Sequence, residues 1–103
     1  MKITYNVKNG TCTIFLSGEL DECTSGYSRN ELDNILQSLP IGTNIIYDFS
    51  QLQFMDSTGI GVLLGRYKKY LDKGLKYSIK NPTRSIDRIL KMTGIYSIIS
   101  VAV

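Results

Sequence analysis

Apolar residues in this chain recur with a period of two, then of three and four, and the pattern switches back and forth along its length. Ile3, Tyr5 and Val7 alternate with Lys2, Thr4, Asn6 and Lys8, and Cys12, Ile14 and Leu16 alternate beyond Asn9-Gly10. A period of two places alternate side chains on one face of a strand. Asn-Gly readily takes the positive φ angles of a type I′ turn, so these segments read as a hairpin with a half-buried first strand. Leu32, Ile35, Leu36 and Leu39 then follow helical spacing. Thr24 is one candidate cap for that helix. Ser28 with Glu31, a capping box, is the other, and Pro40-Ile41-Gly42 is its expected end. Ile45-Ile46-Tyr47 suits a short central strand, Asn44 to Phe49, buried on both faces.

Ser50 to Met55 reads as a connection into a second helix. Asp56 is its N-cap, Ile60, Leu63, Leu64, Tyr67 and Leu71 its apolar stripe, and Gly74 its end. Leu75, Tyr77 and Ile79 alternate as a strand. Asn81-Pro82 opens a third helix with Ile86, Ile89 and Leu90 on one face and Gly94 at its end. The tail from Tyr96 to Val103 is apolar enough for a last strand or a packed terminal segment. Strands alternating with helices demand right-handed crossovers and a parallel core. The expected fold is therefore α/β. It is a single mixed, mostly parallel sheet of four to five strands, with an N-terminal hairpin and about three packed helices. Its 103 residues suit one domain, residues 1–103.

Composition narrows the function. The chain has no histidine, which removes histidine bases, metal ligands and pH switches together. Two cysteines alone make a poor zinc site. Cys12, in a strand pattern, reads as a small buried hydrophobe, with a disulfide to Cys23 the less favoured alternative in a cytosolic chain. No segment reads as a signal peptide or a membrane span, so cytosol is the expected location. Catalytic residues, metals and cofactors are not expected. Residues 1–50 carry three cations against six carboxylates, and residues 51–103 nine against three. The basic half is spread over several elements without an aromatic-basic motif, so solvated faces are favoured over a nucleic-acid site.

The segment with chemical content runs from Phe54 to Lys68. Asp56, Ser57 and Thr58 stand at a helix start, where free N–H groups and the helix dipole favour an anion. A phosphate on Ser57 would be tolerated there; simple capping by the three residues is the competing reading. Glycine inside a helix costs about 1 kcal/mol relative to alanine. Gly59 and Gly61 therefore suggest a first turn left bare for another surface to approach, whereas Gly65 suits close packing on the sheet. Nucleotide and protease motifs fail. The glycines miss the Gly-x-Gly-x-x-Gly spacing, no Gly-Lys-Ser/Thr follows, and nothing activates Ser57 as a nucleophile.

Asp48-Phe-Ser-Gln-Leu-Gln-Phe-Met-Asp-Ser-Thr-Gly-Ile-Gly-Val-Leu-Leu-Gly-Arg-Tyr-Lys68 resembles the signature of STAS-domain anti-sigma factor antagonists. Gly18-Glu-Leu-Asp21 resembles that family's loop after the second strand, and Met92-Thr-Gly-Ile95 the end of its third helix. The Gly65-Arg66-Tyr67 ending is closer to the sporulation branch, which acts on the sigma-F pathway, than to the general-stress branch. The resemblance implies a STAS fold and a non-enzymatic switch with Ser57 as phosphoacceptor. It implies a binding surface of Asp21, Asp56, Ser57, Thr58, Gly59, Ile60 and Gly61. The implied partners are an anti-sigma factor that is also a serine kinase and a metal-dependent serine phosphatase that restores the unphosphorylated form. A monomer with no direct nucleic-acid or membrane contact is expected. The alternatives are the general-stress antagonist, with the same switch, or a ligand- or nucleic-acid-binding STAS module that is not a kinase substrate.

Overall fold

A computed structural model describes residues 1–102; Val103, part of the expected tail segment, lies outside the described residues. Strands β1 (Lys2–Lys8) and β2 (Thr11–Leu20) form the hairpin, with positive φ at both Asn9 (52°) and Gly10 (77°) as the type I′ turn requires. Helix α1 (Ser25–Leu36), strand β3 (Asn44–Met55), helix α2 (Ser57–Lys69), strand β4 (Lys76–Lys80), helix α3 (Arg84–Thr93) and strand β5 (Ser100–Val101) follow. The sheet order is β1-β2-β3-β4-β5, antiparallel at the hairpin and parallel elsewhere. Successive parallel strands step in one direction. Crossovers of one hand then place α1, α2 and α3 on the same face.

Burial follows that geometry. Cys12, Ile14 and Leu16 of β2, Ile45, Tyr47 and Phe49 of β3, and Tyr77 and Ile79 of β4 form the covered face. Leu32, Ile35 and Leu36 from α1, Ile60, Val62 and Leu63 from α2, and Ile86 and Leu90 from α3 close over them. The Tyr47 ring lies between Phe49 and Tyr77, with centroids 6.1 and 5.9 Å away. Both cysteines are free; Cys12 is buried, and burial pushes its thiol pKa up.

Several sequence expectations change here. β3 is one strand of 12 residues, not a short strand and a connection. Register shifts after Phe15 and Gly18 let its second half pair with Ser17–Leu20, which hides the alternation. Gly18 to Leu20 is therefore strand, and Asp21 alone lies beyond it. Ile46 is only half-buried, because no helix covers its face. On β1, Ile3 packs against the core but Tyr5 and Val7 are about half exposed, so only the start of this edge strand is covered.

Helix boundaries shift as well. α1 stops at Leu36, before Pro40, and Lys73 Nζ donates to the carbonyls of Leu36, Gln37 and Leu39 at 3.1, 2.7 and 2.7 Å. That ammonium satisfies the orphan acceptors of the helix end. Ser28 is buried inside α1 rather than capping it. α2 gives way to a 3-10 turn, so Tyr70 is buried where Leu71 was expected, and Leu71 is exposed. α3 begins at Arg84, two residues later than expected, with Thr83 Oγ1 accepting from Ile86 N at 3.4 Å.

Candidate functional site

At the end of β3 the chain turns into α2 through Asp56. Asp56 has extended φ and ψ, and its Oδ1 accepts from Gly59 N at 3.0 Å, the cap expected from the sequence. Its other oxygen, Oδ2, accepts from Glu22 N at 3.3 Å, across 34 residues of sequence. One carboxylate thus caps α2 and straps the β2–α1 loop to it. That loop is also tied internally. Asp21 N donates to Thr24 Oγ1 and Thr24 N donates back to Asp21 Oδ1, each at 3.0 Å. This reciprocal pair closes the loop like a capping box one turn before α1, and Thr24, one of the two expected starts, occupies the N-cap position. Thr24 Oγ1 also donates to Glu19 O at 2.8 Å instead of capping the helix N–H groups.

Ser57 is the first residue of α2 and is exposed. The strap brings Asp21, Glu22 and Asp56 together with it at one edge of the molecule, where the parallel strands end. Glu19 and Phe54 pair across β2 and β3 beside this edge, and Phe54 is 48% exposed. The sequence reading missed Glu19, Glu22 and Phe54. Phe54 carried a usable signal, a large aromatic outside the apolar period.

The expected surface residues divide. Ser57 and Gly61 are exposed, and Asp21, Asp56 and Thr58 are half-buried. Gly59 and Ile60 are buried. Gly59 therefore has another reason to be glycine. A Cβ there would strike the Leu20 carbonyl oxygen and lie 2.9 Å from Met55 Cγ, so α2 sits directly on the end of β2. At Gly61 and at Gly65 an added Cβ meets nothing within 4 Å. Close sheet packing thus explains Gly59 and not Gly65, and of the first-turn pair Gly59 and Gly61 it is Gly61 that leaves the outer surface bare.

Substitutions at three positions test this geometry. Gly59→Ala should lose about 2 kcal/mol by urea unfolding, because overpacking against backbone exceeds the ~1 kcal/mol gain in helix propensity. Gly61→Ala should be as stable as the parent or more so, and a loss of partner binding there would report the close approach of another surface. At Asp21, Asn retains a capping oxygen while Ala does not. Asp21→Asn should leave the melting temperature nearly unchanged, whereas Asp21→Ala should cost about 1 kcal/mol. A larger loss in the Asn variant would mean that the charge itself holds the loop.

Among the described residues, no group of three or more His, Cys, Asp or Glu is placed to hold a metal ion, and no helix is long and apolar enough to cross a membrane. The fold and site define a compact α/β domain with an exposed hydroxyl at a helix start in an acidic setting. The STAS domain model matches residues 2–102, and the chain belongs to that family. It is 35% identical over 101 residues to an anti-sigma F factor antagonist of Paenibacillus polymyxa, covering 98% of this chain and 86% of that one. It is 25% identical to the anti-sigma-B factor antagonist of Bacillus subtilis, covering 99% and 93%. Among solved structures it resembles the anti-sigma factor antagonist SpoIIAA in its unphosphorylated form. The TM-score is 0.74 at 27% identity, covering 99% of this chain and 89% of that one. The phosphorylated form of Bacillus SpoIIAA superposes with a TM-score of 0.66 at 26% identity, covering 99% and 92%.

Proposed function

We propose that this chain is an anti-sigma factor antagonist of the sporulation type, switched off by phosphorylation of Ser57. The observation that carries this reading is the exposed Ser57 hydroxyl at the first position of α2, beside the loop that Asp56 straps in place. Unphosphorylated, the chain binds an anti-sigma factor that is also a serine kinase, and the sigma factor is released. Phosphorylation ends that binding, and a metal-dependent serine phosphatase reverses it. The chain acts in the cytoplasm as a monomer when free, without catalysis and without direct contact to nucleic acid. Asp21, Asp56, Thr58 and Gly61 supply binding surface around Ser57, while Gly59 and Ile60 hold that surface in shape from beneath.

The higher identity to the sigma F antagonist than to the sigma-B antagonist supports the sporulation branch over the general-stress one. The test is incubation with the anti-sigma kinase and ATP, followed by mass spectrometry. One phosphate should appear, on Ser57, and Ser57→Ala should accept none while still binding the kinase. Phosphate on Thr58 or elsewhere, or none on the parent chain, would overturn the reading.

A further inference from the structure

We propose that the helix-free face of the sheet is a second docking surface, shaped for an acidic amphipathic helix of a partner protein. Strand register defines this face. Lys2 pairs with Ser17 and Lys8 with Thr11, while Asp48 lies between Phe15 and Lys80, Ile46 between Thr13 and Ser78, and Asn44 between Thr11 and Lys76. Paired residues share a face, so four lysines stand on it, two along β1 and two along β4. Its middle is mostly neutral and polar, with Thr11, Thr13 and Asn44, and includes two apolar side chains, the exposed Phe15 and the half-buried Ile46. The carboxylate between the lysine rows, Asp48, is only 9% exposed, and its Oδ1 accepts from Ser50 N at 2.9 Å. A depression of about 370 Å³ lies here, with Ile46, Ser78 and Lys76 in its lining.

The dimensions select the occupant. β1 and β4 are three strand spacings apart, about 14 Å, and an α-helix with its side chains is about 10–12 Å across. A helix laid between the two lysine rows would set its apolar stripe on Phe15 and Ile46 and its carboxylates against the ammonium groups on either side. Phe15 and Ile46 offer a small apolar patch inside a charged rim, the arrangement of core and rim found in protein interfaces. A second copy laid face to face would oppose lysine with lysine. Nucleic-acid readers concentrate charge along one helix or groove, whereas this charge lies at the borders. This surface does not depend on the reading of Ser57.

The experiment uses the whole chain and a helical peptide of about five turns with Glu along both flanks of a Leu stripe. Binding should move the amide resonances of Thr13, Phe15, Ile46 and Ser78 and leave those of Ser57 to Gly61 in place. The double variant Lys8→Glu, Lys76→Glu, at exposed positions, should melt as the parent does and bind at least about tenfold more weakly. Ser57→Asp should bind as the parent does. Equal binding of a scrambled peptide of the same charge would overturn the proposal, as would shifts confined to the Ser57 edge. So would tighter binding of a DNA oligonucleotide or of phosphatidylserine vesicles than of the peptide.

Discussion

Phosphorylated on Ser57, the chain should bind its anti-sigma partner at least a hundredfold more weakly than the unmodified form while keeping its fold. A phosphate adds roughly −1.5 to −2 charge at pH 7. At the first position of α2 it meets free N–H groups and the positive end of the helix dipole, so the helix has no cause to melt. The surroundings on the outer side are different. Asp56 and Glu22 are joined by a hydrogen bond, and Asp21 belongs to the same strapped loop. A surface that docks closely on the bare Gly61 side must then accommodate new bulk and charge. Unmatched charge across an interface costs several kcal/mol, and 1.4 kcal/mol is tenfold in affinity. Calorimetry on both forms measures the affinity, and amide shifts measure the fold. Equal affinities would end the switch as an explanation. Shifts spread over the whole sheet would replace the clash with a refolding mechanism.

The largest loss of stability is expected at Asp33, far from Ser57. Asp33 on α1 accepts from Tyr70 Oη at 2.7 Å and from Lys69 Nζ at 3.0 Å, and Arg66 Nε lies 3.3 Å from it. The Arg66 side chain is only 11% exposed, and its Nη1 has no hydrogen-bond partner among the described residues. Lys69 is half exposed and contributes little. The weight falls on Arg66, whose buried charge Asp33 offsets, and on the Tyr70 hydroxyl. Asp33→Ala removes both and should cost about 3 kcal/mol, the low end for breaking a buried pair, since Asp33 keeps some solvent. In a domain of this size that lowers the melting temperature by roughly 12–24 °C.

The pH dependence has a definite sign. Burial opposes the ionisation of Asp33, but the Tyr70 and Lys69 hydrogen bonds, with the Arg66 and Lys69 charges, outweigh it and hold its pKa below the ordinary 3.8. With a folded-state pKa depressed, the unfolded chain binds the proton first. The stabilisation is therefore complete above the ordinary carboxylate range and lost as pH falls through the folded-state value. Urea unfolding of parent and Asp33→Ala should differ most at neutral pH and converge in acid. A difference that persists undiminished in acid would assign the loss to packing instead. The same cluster affects Tyr70. Burial first, then the hydrogen bond to Asp33, pushes its pKa to about 12, so the phenol donates throughout the neutral range.

Much of this architecture was legible from the residues in order. Asn9-Gly10 specifies its turn through backbone φ alone, and the element order from β1 to α3 follows from periodicity within each segment. Asp56 as cap and Ser57 at the helix start also follow from local chemistry, because a cap acts within three residues. Such signals depend on neighbours along the chain and survive without knowledge of the fold.

What tertiary structure alone decided depends on partners far away in sequence. The second half of β3 is strand because Ser17 to Leu20 pairs with it through shifted register. Gly59 is required by the backbone of Leu20, and Phe54 and Glu22 join the site only when β2, β3 and the following loop come together. α1 ends where Lys73 reaches its carbonyls, some 34 to 37 residues on. Asp33 clamps α2 across 36 and 37 residues, and the face left open follows from every crossover having the same hand. Local chemistry determined which elements form and where the hydroxyl stands. Packing between distant segments determined how long those elements run, which charges meet, and which face is left for a partner.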